Sequence, residues 1–266
     1  FHFSSVINHQ HNAMIKKYFT LALRHAYRQK FHTTINIVGL ALGLATSLFI
    51  TWYVVDEMSY DQFHQDAERV FRVVTNGGEG YQLATTPPPL YEAVKQDIPE
   101  VEFVARVFTW NHSTMRLPDD ENDGQEKVFR ETSICIADSS FLEVLDFNLI
   151  AGDKQALHVP NAIVLTKATA ERYFGIGAVE RGEVLGKEIL FGGNRAARQI
   201  TGVVAPPSAT HFPFDMLVPT MGYQEITDGG NWAWNIMHTY LKVRTDVVDN
   251  PERMASLADK LDQVAE

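Results

Sequence analysis

Ser208, His211 and Asp215 come nearest in this chain to acid–base chemistry: a hydroxyl, an imidazole and a carboxylate within one short stretch. A nucleophilic triad is a spatial arrangement, and in its commonest α/β setting the serine sits on a tight strand-to-helix elbow. Here the three residues lie among Pro206, Pro207 and Pro213 with no such elbow, so the stretch reads as a loop. Asp119, Asp120, Glu121 and Asp123 form an acidic cluster ending at Gly124. It lacks the ligand pattern and distal glutamate of a calcium loop and reads as a solvated turn. Gly175-Ile176-Gly177 follows a helix, whereas a dinucleotide site needs its glycines between strand and helix, with a third at the right spacing. The phosphate cradle GxxxxGK[ST] of an ATPase does not occur in the sequence. Cys135 is the single cysteine, so no intrachain disulfide forms, and in TSICIAD it reads as a buried strand residue. His9 and His11 belong to a solvated tail, and Trp110, Trp232 and Trp234 fit an aromatic surface or a core equally well. No catalytic, cofactor-binding or metal-binding residue is assigned, and no cofactor is expected.

Charge and hydropathy say more. Ile35 to Val55 is a run of 21 residues without a charge, INIVGLALGLATSLFITWYVV. About 20 such residues match the hydrocarbon thickness of a bilayer. Before it come Lys16, Lys17, Arg24, Arg28 and Lys30 with no acid, and after it Asp56, Glu57 and Asp61. Short basic flanks stay in the cytoplasm, so these five cations set the topology: N-terminus inside, everything after about residue 58 outside the inner membrane. The run is too long for the apolar core of a signal peptide and ends in Trp52-Tyr53-Val54-Val55 without a small-x-small site, so it is a retained anchor. Gly39, Gly43 and Ser47 recur every four residues, a row of small side chains on which another helix can pack closely. The whole chain carries a net charge of −10, and the part after the basic flank is more acidic still, which argues against nucleic acid as a partner.

The remaining elements follow from periodicity. Residues 14–32 fit an amphipathic helix, with Ile15, Tyr18, Phe19, Ala22, Leu23 and Ala26 on one arc and Lys17, Arg24 and Arg28 opposite, suited to lying in the lipid interface. Residues 1–13 precede Met14 and read as an extension or disordered tail. After the span the pattern is mixed α and β. Strands are predicted at Val70–Thr75, Val101–Thr109, Val128–Ala137, Ile189–Phe191, Gln199–Val204, Met216–Val218 and Thr239–Val243. Helices are predicted after Pro87-Pro88-Pro89 to about Gln96, after an N-cap at Asp138, after an N-cap at Thr166, and from Pro251 behind an Asn250 cap. The last helix puts Met254, Leu257, Leu261 and Val264 on one face, and the chain stops on it, which reads as a fragment. Val54 to Arg72 contains neither Gly nor Pro and only Ser59 as a small polar residue, compatible with a stiff passage from the span into the first strand.

Several segments together resemble a known family. Tyr60-Asp61-x-Phe63-His64 follows the span, then an Ala-Glu-Arg step at Ala67 to Val73. Phe147, Gly152-Asp153, Pro160 to Thr166 and Ala170 to Gly175 come next in order, then Gly186-Lys187, Ile200 to Val204, Pro206-Pro207 and His211-Phe212-x-Phe214-Asp215. This order resembles FtsX-like permeases of ABC transporters with their MacB-like periplasmic core domain, over nearly all of residues 14–245. The resemblance implies an α+β chain: one N-terminal transmembrane helix (33–58) followed by a mixed α/β, two-lobed extracytoplasmic domain (59–266) truncated at its C-terminal end. One lobe carries the early strands and the Pro88–Gln96 helix, and the other is built around residues 140–215.

It also implies a transmembrane subunit of four or more helices, of which this chain carries one, working with a separate cytoplasmic ABC ATPase subunit. The partners expected are that ATPase, membrane lipid, a second permease subunit in a dimer, and a periplasmic protein, with no nucleic acid. The function implied is coupling of ATP-driven motion to export or to a periplasmic partner; the alternative is a membrane-anchored periplasmic sensor or binding domain without transport. ATP hydrolysis itself is not expected in this chain.

Overall fold

The uncharged run forms one helix, α1, from Lys30 to Glu57. The computed structural model describes residues 14, 17, 18, 20, 21, 24–58, 66–77, 80–118, 126–205, 213–227 and 230–265. The chain folds as two compact units, Phe1–Tyr60 and Asp61–Glu266. In the first, the described residues between Met14 and Arg28 are helical, and Gln29 (φ −115, ψ 45) interrupts the helix before α1 begins. Of the predicted interfacial face, Tyr18 and Ala26 are described, whereas Ile15, Phe19, Ala22 and Leu23 lie outside the described residues, as does the topology residue Lys16.

The second unit is built on strands β1 (Val70–Arg72), β2 (Thr75–Asn76), β3 (Gln82–Leu83), β4 (Val101–Trp110), β5 (Ser113–Leu117), β6 (Lys127–Glu131), β7 (Ile134–Ala137), β8 (Leu149–Ala151), β9 (Ala162–Thr166), β10 (Glu188–Phe191), β11 (Ala196–Val204), β12 (Met216–Pro219) and β13 (His238–Val243). Its helices are α2 (Leu90–Asp97), α3 (Phe141–Val144), α4 (Lys167–Phe174), α5 (Gln224–Thr227), α6 (Thr245–Val248) and α7 (Pro251–Ala265). One sheet runs β1-β13-β4-β7-β12-β9-β11-β10-β5-β6, with β8 added on β11, and β2–β3 form a separate hairpin. The pairs β7–β12 and β9–β11 are parallel.

Side chains alternate between the two faces of a strand, and the core clusters follow that alternation. Ala105, Val107, Cys135, Ala137, Val164 and Leu217 pack on one face with Phe141, Leu142 and Phe147. Their neighbours Ile134, Ile163, Leu165, Met216 and Val218 point to the other face and pack with Ala170 and Tyr173 of α4. β7, β9 and β12 are therefore buried along their whole length, because both faces of the central sheet are covered. Val104, Leu241 and Val243 leave the sheet opposite Ala105 and meet Leu90 and Val94 of α2, Val247 of α6 and Leu257 of α7. The α2/α7 cluster and the α4 cluster lie on one continuous sheet within a single compact unit, Asp61–Glu266.

Several local expectations differ in detail. Val128–Ala137 is two strands: β6 pairs with β5 at the sheet edge, whereas β7 lies between β4 and β12, so the chain crosses over at Thr132-Ser133. Val70–Thr75 likewise divides into β1 and β2, and β3, β5, β8 and β9 have no counterpart among the predicted strands. Asp138 does not cap α3, whose N-cap is Ser140 without a side-chain cap bond, because the Asp138 carboxylate is taken by Arg106. The caps at Thr166 and Asn250 are present: Thr166 Oγ1 accepts from Thr169 N at 3.3 Å, and Asn250 Oδ1 from Glu252 N at 3.0 Å. Leu257 is buried, and Met254, Leu261 and Val264 pack beside it.

Candidate functional site: membrane helix and domain anchor

No residue of α1 is buried by the rest of the protein. At 28 residues, with mean hydropathy 1.9 over its best window, this helix is long and apolar enough to cross a membrane. Two of its hydroxyls bond back within the helix, Thr46 Oγ1 donating to Leu42 O at 2.9 Å and Thr51 Oγ1 to Ser47 O at 2.8 Å, as suits an environment without water. Phe49 and Trp52 meet edge-on towards the C-terminal end of α1, where aromatic rings suit a membrane interface. A Cβ built on Gly39 or Gly43 meets nothing within 4 Å, so this face is open within the chain.

In the second unit, the first described residues are tied tightly to the sheet. Asp66 lies 2.7 Å from Lys242 Nζ, and Lys242, near the end of β13, is itself only 6 % exposed. Lys242 Nζ also donates to the Glu143 carbonyl at 3.3 Å. Arg69 pairs with Glu102 and donates from Nε to the Val243 carbonyl at 2.9 Å. The hydrogen bond from Lys242 holds the Asp66 carboxyl below its ordinary value of 3.8. Backbone pairing of Val70–Arg72 with Lys242–Tyr240 completes the anchor.

A buried ionic hub lies deeper. Arg106 and Asp138 are 4 % and 3 % exposed. Arg106 donates to Asp138 from its backbone N (2.8 Å), Nε (2.9 Å) and Nη2 (3.1 Å), and from Nη1 to the carbonyls of Pro88 (2.8 Å) and Thr227 (3.1 Å). Thr220 Oγ1 donates to Asp138 at 2.8 Å, and the guanidinium lies 4.3 Å from the Tyr91 ring centre. These bonds join β4, the end of β7, the turn into α2 and the segment after β12. Desolvated charges persist only when hydrogen-bonded in this way.

The residues weighed for chemistry are scattered. Ser208, His211, Asp119, Asp120, Glu121 and Asp123 lie outside the described residues, as do Tyr60 to His64. Asp215 Oδ1 accepts weakly from Thr169 Oγ1 at 3.4 Å. Gly175 (φ 95) ends α4 as its C-cap, and Cys135 is buried on β7, where burial pushes its thiol up to about 12. Trp110, Trp232 and Trp234 are all partly exposed. Among the described residues no group of three His, Cys, Asp or Glu is placed to hold a metal ion.

The motif glycines do have structural work. Gly152 has φ +84, and a Cβ there would stand 2.4 Å from the Thr201 carbonyl oxygen, so only glycine fits. The sequence profile of the MacB-like periplasmic core domain matches residues 33–264, taking in most of α1 and all of the sheet. The chain belongs to this family. A domain assigned to a permease protein of Porphyromonas gingivalis has the same fold, with a TM-score of 0.58 and 22% identity over 76% of this chain and 87% of that one. The periplasmic region of MacB from Actinobacillus actinomycetemcomitans superposes with a TM-score of 0.49 and 16% identity over 74% and 82% of the two chains. No curated protein matches the chain. A MacB-like core domain preceded by an apolar helix fits a protein of the inner membrane, and the family is a component of ABC-type permeases. Sequence reasoning found α1 but missed the hub and the anchor. Their available signals were a charge inside VARVF and another inside YLKV, at strand positions that packing alone would fill with apolar residues.

Proposed function

We propose that this chain is part of the transmembrane permease subunit of an ABC transporter, its MacB-like domain working in the periplasm and coupling ATP-driven motion to export or to a periplasmic partner. The observation that carries this reading is that a single family match runs from α1 through the whole sheet domain. Lys16, Lys17, Arg24, Arg28 and Lys30 keep the N-terminal side in the cytoplasm. Gly39, Gly43 and Ser47 pack against another helix of the permease or of its dimer mate. A separate cytoplasmic subunit hydrolyses ATP, and the domain moves as the membrane helices move. The anchor supports this reading, because Asp66 and Arg69 tie the start of the domain to β13 and β4 by ion pairs and backbone bonds.

The test is purification of the complete permease in mild detergent. A cytoplasmic ATPase subunit that co-purifies, with ATP hydrolysis responding to the permease, is the expected result. A complete permease that inserts and folds but retains no ATPase favours the membrane-anchored sensor instead. A reporter active only in the periplasm, fused after Val204, should be active; activity confined to the cytoplasm contradicts the orientation.

A further inference from the structure

Arg198 stands at an inward position of β11, in alternation with the buried Ile200 and Gly202, and is 8 % exposed. A charge in such a place normally has a counter-charge: Arg106 has Asp138, and the buried Glu131 of β6 has Arg172 at 2.7 Å. The acceptors of Arg198 are all neutral. Nη1 donates to the Pro160 carbonyl at 3.2 Å and the Ala162 carbonyl at 3.5 Å, and Nη2 to the Tyr223 hydroxyl at 3.2 Å. Nε has no partner at all. The guanidinium is held between rings, 5.1 Å from the centre of Phe191 and 5.6 Å from that of Tyr223. Such stacking offsets part of the desolvation of the charge but supplies no acceptor.

The same residue lines an open cavity of about 650 Å³, within the size range of small-molecule sites. Trp110, His112, Asn194 and Tyr223 line it too, and no acidic residue does among the described residues. Trp110 and Tyr223 stand 6.3 Å apart and form an aromatic wall. The described lining is thus free of negative charge in a chain of net charge −10, with a fixed cation whose donors are only partly used.

We propose that this cavity binds an organic carboxylate with a flat apolar body. A guanidinium carries five N–H donors. Nε–H and one Nη2 hydrogen are left over, and the Nε/Nη2 edge of a guanidinium is one that grips a carboxylate with two parallel bonds. Nε is shielded from solvent, so an incoming carboxylate meets the exposed part of the head first and reaches Nε with a turn of the guanidinium. The Tyr223 hydroxyl accepts from Nη2 and keeps its own hydrogen to donate to the same anion. The ligand's apolar body then lies against Trp110. A free small acid and the C-terminal carboxylate of a peptide share this chemistry.

The test is isothermal titration of the full chain, in an uncharged detergent, with benzoate, benzamide, N-acetyl-Gly-Phe and the C-terminal amide of that peptide. At least one acid should bind about tenfold or more tightly than its own amide, the penalty of losing charge-assisted hydrogen bonds. Selective binding of benzoate identifies small acids as the source, and selective binding of the peptide acid identifies a C-terminus. Arg198→Met should abolish the preference for the acid. Should that variant fail to fold, Tyr223→Phe and the rim variant Trp110→Leu should each weaken acid binding severalfold with unchanged circular dichroism. Equal binding of acid and amide, or no binding of either acid up to about 10 mM, overturns the proposal.

Discussion

Removing one member of the Arg106–Asp138 pair leaves the other charge buried with its partners gone. Arg106→Met or Asp138→Asn should therefore cost about 3–5 kcal/mol, read from urea unfolding of the chain in detergent. The double variant Arg106→Met/Asp138→Leu should cost less than the sum of the two single changes, since no charge is then stranded. Additive losses would show that the two side chains act independently. At the surface, Asp66 and Glu100 are both held below their ordinary values, 3.8 and 4.5, by hydrogen bonds from Lys242 and Lys260 respectively. A carboxylate with a lowered folded-state value stabilises the fold above its unfolded value, and that contribution fades as pH falls through the folded one. Asp66→Asn should thus be less stable than the parent at pH 7, and the gap should close as the pH is lowered below about 4. A gap that stays constant in thermal melts from pH 7 downward would remove Asp66 from the anchor's electrostatics.

At the scale of elements, α1 is defined by what it lacks, since no charge falls between Lys30 and Asp56 and no side of it is covered. Changing both Gly39 and Gly43 to Ile should weaken helix association in the complete permease by about 1–2 kcal/mol, because the added side chains hold the backbones apart. Unchanged assembly in detergent would remove this face from the interface. α1 was legible in the sequence because its signal is local, as were the Thr166 cap and α4, each read from a run of neighbouring residues; β9 was not, since a strand buried on both faces shows no alternation. The strand pair β6 and β7 was not, since a continuous β-prone stretch does not reveal that one part pairs at the sheet edge and the next at its centre. β5 and β8 escaped because they are short and only partly buried, so neither alternates clearly. The hub and the anchor were illegible for another reason: Arg106 meets Pro88, Asp138 and Thr227, and Asp66 meets Lys242, through contacts that exist only once the sheet has formed. Nor did the sequence mark Arg198, whose meaning depends on the cavity beside it.

For the whole molecule, the proposed mechanism requires movement to pass from a membrane helix into the domain without being absorbed on the way. The sequence between Val54 and Arg72 has neither Gly nor Pro, and the domain's first described residues are fixed to β13 by Asp66, Arg69 and the pairing of β1. A flexible insertion should break that transmission while sparing each part. The most direct measurement is to insert four to six Gly/Ser residues after Met58 in the complete permease and record ATP hydrolysis and transport in the same proteoliposomes. The account predicts normal insertion and continued hydrolysis with transport largely lost. Transport at the full rate after such an insertion would contradict rigid coupling and leave the MacB-like domain as a passive binding module.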